Sequence, residues 1–136
     1  MDRNTLDQLL ESALAVRKNA YAPYSNFHVG CAMLLEDGTV VNGVNVENAS
    51  YGVTICAERS AIVSIVTAGK QNSIRAVAVG TATSPPAAPC GICRQALAEF
   101  VERKVPIILG NDTGESTVSC LAEFLPFAFE KSALGK

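Results

Sequence analysis

Leu6, Leu9, Leu10, Ala13, Leu14 and Val16 recur every third or fourth position with polar residues between them, so the chain is expected to open on an amphipathic helix over about 4–19. The period then breaks at Tyr21 to Phe27, where Pro23 and Ser25 mark a loop. Two β-rich runs follow, Val29 to Leu35 and Thr39 to Val46, and Asp37-Gly38 between them is a hairpin signal that makes the pair antiparallel. Helical spacing returns from Cys56 to Ala68, with Gly69 as its stop. Ile74 to Val79 reads as a buried strand. After the Pro-rich bend Ser84 to Pro89, Leu97, Phe100 and Val101 predict a helix over about 91–103, and Val105 to Leu109 another strand.

Only Gly110 to Glu115 separates that strand from a short one at Ser116 to Val118. A parallel crossover needs a dozen residues or more, so this last pair is expected to be antiparallel. A short helix over Leu121 to Leu125 would close the pattern. The order predicts a mixed five-stranded sheet with helices on both faces, a three-layer α/β/α sandwich formed by residues 1–136 as a single domain.

Composition narrows the function. Of the 136 residues 49% are hydrophobic and 18% charged, which suits a compact core and argues against disorder. A net charge of -2 lacks the surplus of Lys and Arg that grips phosphate backbones, so no nucleic-acid partner is expected. No apolar run approaches the ~18 residues that span a bilayer, and Met1-Asp2-Arg3-Asn4-Thr5 lacks the flank of a signal peptide. The expectation is a cytoplasmic protein with no membrane partner. There the odd count of five cysteines points to ligands or core residues before disulfides.

Three of those cysteines carry the chemistry: Cys56 in Cys56-Ala57-Glu58-Arg59, and Cys90 with Cys93 in Pro89-Cys90-Gly91-Ile92-Cys93-Arg94. Both motifs fall at predicted helix starts, where free N–H groups and the helix dipole favour thiolates. Three sulfurs offer Zn²⁺, one per chain, a site with one coordination position left open, the mark of a catalytic rather than a structural zinc. Glu58 is the candidate proton carrier beside that position. Three thiolates overneutralise the ion, so positive charge is needed near the sulfurs, and Arg59 and Arg94 are the candidates. Cys31 and Cys120 read as core residues, and the lone His28 as a hydrogen-bonded structural residue.

The joint pattern resembles the zinc-dependent cytidine deaminases, whose signature is H-x-E followed by P-C-x-x-C with three cysteines as a variant. It is similar to the small class that acts on free nucleosides. Cys56 stands here in the histidine slot. Tyr21 to Phe27, Asn45-Val46-Glu47-Asn48-Ala49, Pro89 to Gln95 and Phe124-Leu125-Pro126 also follow the family order, so the resemblance covers nearly the whole chain. It implies that Asn45 and Glu47 hold the ribose hydroxyls, that Phe27 packs on the base and that the Ala57 backbone meets the pyrimidine edge. It also implies a homotetramer in which Tyr51 and Phe129 enter a neighbour's site. Ala88 departs from the family, which often has serine before Pro-Cys.

Three rival functions remain open on sequence. A structural zinc module would have Cys31, Cys120 or His28 as fourth ligand, and a polynucleotide deaminase would act on tRNA or single-stranded DNA. A deaminase of another aminated nucleoside or antibiotic would share the scaffold.

Overall fold

The computed structural model describes residues 1–136. Helix α1 (Arg3–Val16) begins where Asp2 accepts the Thr5 backbone N–H at 2.8 Å, and it buries Leu6, Leu9, Leu10 and Ala13. It is shorter than the hydrophobic period predicts. Arg17–Asn19 tighten into a 3₁₀ turn because Tyr21 must run beside Val46, where it exchanges backbone hydrogen bonds with Asn45 and Glu47.

Strands β1 (Gly30–Leu35) and β2 (Val40–Val44) form the hairpin, turning on Gly38 at φ 87°. Helix α2 (Ala57–Thr67) leads to strand β3 (Ile74–Thr81). Helix α3 (Gly91–Phe100) leads to β4 (Ile107–Asn111), β5 (Ser116–Ser119) and the short α4 (Leu121–Phe124). The sheet order is β2-β1-β3-β4-β5, with only β3 and β4 parallel, so the expected mixed five-stranded sheet and the antiparallel last pair are both present.

Helix α3 stops three residues short of the predicted end. Val101 turns into extended backbone and buries itself in the core, while Arg103 is claimed by the C-terminal segment: its carbonyl accepts the Ala122 N–H and its guanidinium meets Leu125 O and Glu130. Strand β4 starts at Ile107 rather than Val105 because Pro106 has no N–H to give the ladder.

The two sheet faces differ in side-chain size. Ala32, Ala76, Ala78 and Ile108 face α1, whereas Cys31, Met33, Val77, Val79, Ile107 and Leu109 face the core shared with α2 and α3. Gly30, Gly80 and Gly110 stand in register across β1, β3 and β4 beneath α1. The approach there is close: a Cβ on Gly30 would lie 1.9 Å from Ala13 O. On the opposite face Gly43 does the same for α2, since a Cβ there would lie 2.4 Å from Ala57 O and 2.5 Å from Ala61 N. The start of α2 is thus pressed against β2, which fixes the height of Cys56 and Glu58 over the sheet.

Candidate metal centre and cavity

Cys56 and Cys90 are the N-cap residues of α2 and α3, both extended in backbone and neither spending its side chain on a cap hydrogen bond. Each sulfur therefore sits at the positive end of a helix. Cys93 lies one turn into α3 and is fully buried, Cys56 is half-buried and Cys90 exposed. The three Sγ atoms all lie within 4.8 Å of one another, although Cys56 and Cys90 are 34 positions apart in the chain. Zinc–thiolate bonds of about 2.3 Å in tetrahedral array place sulfurs about 3.8 Å apart, so the spacing and the soft donor set fit zinc.

Cys56 and Cys93 share a proton. Cys56 is pushed down to about 5, first by the hydrogen bond from the Cys93 thiol and then by Arg59, whose Nη2 donates to Cys56 Sγ at 3.8 Å and to Thr54 O at 3.2 Å. Cys93 moves far up in turn, because its proton is held against Cys56 and the site is buried. A bound metal would replace that shared proton. Arg59 is itself raised by the Cys56 sulfur. Arg94 is placed differently from Arg59: its Nε donates to Pro89 O at 2.7 Å, its Nη1 to Phe124 O at 2.8 Å, and its guanidinium stacks 5.1 Å from the Phe124 ring centre. The bond to Phe124 O holds the C-terminal segment onto α3, the bond to Pro89 O holds the turn before α3, and neither goes to a sulfur.

Beside the sulfurs, Glu58 is buried in the first turn of α2, 4% exposed, and burial raises its carboxyl above the usual carboxylate range, with the Cys56 charge adding to the shift. A carboxyl in that state holds a proton more readily than a surface glutamate.

The three cysteines and Glu58 form one wall of a cavity of about 340 Å³, within the range of small-molecule sites. Phe27, Asn45, Glu47 and Ala57 lie on its other walls, so the structure brings these four to the same place. Asn45 is buried and its amide bridges two backbone groups, accepting Val29 N–H at 2.8 Å and donating to Phe27 O at 2.7 Å. Glu47 Oε1 accepts the Tyr24 and Ser25 N–H groups at 3.0 and 3.1 Å, and Oε2 accepts the Ser25 hydroxyl, which holds the carboxylate below its ordinary pKa. Ala88 also lines the cavity, so its methyl group stands where a serine would offer a hydroxyl.

Tyr51 and Phe129 do not line the cavity of their own chain; they are 76% and 60% exposed. Cys31 is a core residue of β1, Cys120 Sγ lies 3.9 Å from Glu123 Oε1, and His28 Nδ1 meets Asn26 O at 3.2 Å; none joins the sulfur cluster. Ser25, Thr54 and Thr81 are cavity residues to which the sequence assigned no role. Ser25 had a signal, because it lies inside the Tyr21 to Phe27 motif. Thr81 had none, since β3 runs two residues beyond its predicted end.

Residues 3–109 match a family model described as the cytidine and deoxycytidylate deaminase zinc-binding region. A curated cytidine deaminase of Halalkalibacterium halodurans is 43% identical over 129 residues, 95% of each chain. The 1.6 Å crystal structure of cytidine deaminase from Burkholderia pseudomallei superposes with a TM-score of 0.88 at 45% identity, covering 95% of this chain and 100% of that one. Cytidine deaminase from Mycobacterium leprae gives 0.76 at 40% identity, over 92% and 99%. The family model spans both cysteine motifs and the relatives match over nearly the full length, and the chain therefore belongs to the zinc-binding cytidine and deoxycytidylate deaminase family.

Proposed function

We propose that the protein is a cytidine deaminase in which residues 1–136 form one catalytic unit, converting cytidine and deoxycytidine to uridine and deoxyuridine with release of ammonia. The observation that carries this reading is the shared cavity. A buried Glu58, its carboxyl raised by burial, and three clustered sulfurs face the same 340 Å³ space as Phe27, Asn45 and Glu47.

One zinc ion per chain, held by Cys56, Cys90 and Cys93, would supply Lewis-acid activation of water at the open coordination position. The chain's own groups do the rest. Phe27 offers the face of a ring to the base, while the Ala57 backbone meets the pyrimidine edge. Glu47, ionised and fixed by three donors, accepts from a sugar hydroxyl, and Asn45 holds the Phe27 to Val29 backbone and retains one amide proton and one lone pair for the sugar. Glu58 takes a proton from the attacking water and delivers it to ring N3, which makes C4 electrophilic, and the remaining hydroxyl adds there. The second proton passes through the same carboxyl to the exocyclic nitrogen, which leaves as ammonia. Water and cytidine thus balance uridine and ammonia. Arg59 draws electron density from Cys56, offsetting what three thiolates remove from the ion's electrophilicity.

The assembly is a homotetramer with shared sites, acting in the cytoplasm in pyrimidine salvage. Supporting it are large side chains left uncovered: Tyr51, Phe127 and Phe129, and Val63 and Val66 on the outer face of α2. No helix is long and apolar enough to cross a membrane.

The test is ultraviolet loss of cytidine absorbance with zinc counted per chain and mass measured by light scattering. Conversion with one zinc per chain in a tetramer is the expected result. Full zinc with no conversion would reject deamination in favour of a structural zinc module, and a monomer would reject the shared sites.

A further inference from the structure

Ser25 lines the same cavity, and its hydroxyl is engaged both as a donor and as an acceptor. Its proton goes to Glu47 Oε2, and its oxygen accepts the Phe27 backbone N–H at 3.0 Å. Its own backbone N–H, with that of Tyr24, is bound to Glu47 Oε1. One side chain therefore ties the Glu47 carboxylate to the segment that carries the Phe27 ring. A carboxylate has about four lone-pair directions. Two on Oε1 are taken by backbone donors and one on Oε2 by the serine, so a single direction, on Oε2, is left for a ligand.

We propose that Ser25 is a positioning residue for sugar recognition: by orienting Oε2 of Glu47 and occupying one of its two lone pairs, it makes that carboxylate a reader of one sugar hydroxyl. This rests on the reading of Glu47 as a sugar contact. A ligand with a ribose or 2′-deoxyribose hydroxyl satisfies the free lone pair, whereas a sugar lacking both hydroxyls forgoes that charge-assisted hydrogen bond. Ser25 does not donate to the substrate itself, because its one proton is spent.

The experiment compares cytidine with 2′,3′-dideoxycytidine on the zinc-loaded enzyme, measuring kcat and KM for the parent, Ser25→Ala, Ser25→Thr and Glu47→Gln. In Ser25→Ala the KM for cytidine should rise about tenfold with kcat within twofold, the KM for the dideoxy substrate should stay put, and the cytidine preference should shrink accordingly. Ser25→Thr, which keeps the hydroxyl, should restore the preference, and Glu47→Gln should lower it at least as far as Ser25→Ala. An equal loss on both substrates, or an unchanged preference in Ser25→Ala while Glu47→Gln lowers it, would overturn the role of Ser25 alone. An unchanged preference in Glu47→Gln would overturn the sugar contact itself, and the proposal with it.

Discussion

The guanidinium of Arg59 donates to the sulfur of Cys56 at 3.8 Å while also meeting Thr54 O, so one turn of α2 supplies both a thiolate and the cation that tempers it. A glutamine at 59 removes that charge. Arg59→Gln should lower zinc affinity or kcat by about 10–100-fold, the usual cost of losing a partner to a metal ligand. Metal titration with a competing chelator, alongside turnover, reads both; parental values for each would show that Arg59 does not act on the site.

Gly43 sets how close α2 comes to the sheet. Gly43→Ala forces a Cβ to within 2.4 Å of Ala57 O, and overpacking of that kind costs about 1–3 kcal/mol. Thermal unfolding should show a clear fall in Tm for this variant. Gly52→Ala, where a Cβ meets nothing within 4 Å and φ is not positive, should melt with the parent.

Glu47 gives an acid-side signature. Its folded pKa lies below the ordinary 4.5, chiefly through the Ser25 hydroxyl and then the Ser25 and Tyr24 backbone N–H groups. A depressed carboxyl stabilises the fold above the unfolded value and loses that contribution as pH falls through the folded one. The Tm difference between the parent and Glu47→Gln should therefore be constant at neutral pH and shrink below about 4.5. A difference that stays flat through that range would show that the hydrogen bonds to Glu47 do not favour its ionised form.

Removing the metal should be costly for stability as well as activity. A ligand bound only by the folded state adds about 4 kcal/mol at a thousand times its Kd. Chelated protein should melt several degrees lower and recover on adding zinc. An unchanged melting curve after verified zinc loss would mean that the three sulfurs do not hold the ion.

Much of this was legible in the sequence because the signals are local. Asp37-Gly38 fixed the hairpin, the short Gly110 to Glu115 link fixed the direction of β5, and the two cysteine motifs named their own helix starts. What was not legible depends on contacts between distant segments. Helix α3 ends at Phe100 as Val101 turns into the core and residues about 20 to 30 positions later claim Arg103, and Arg94 reaches Phe124 O across 30 residues. Ser25 and Glu47 lie 22 apart, and nothing in either neighbourhood announces that they bond. The shortening of α1 likewise follows from Tyr21 pairing with Val46, a tertiary event that outweighs helical period at Arg17.

The central claim is that the buried carboxyl of Glu58 moves the protons of the reaction while the three cysteines hold the metal. It is tested most directly by the rate of cytidine conversion in Glu58→Gln at one measured zinc per chain. A general acid and base contributes about 10²–10⁴-fold, so turnover should fall by that factor with zinc content unchanged. Near-parental turnover in the zinc-loaded variant would contradict the account.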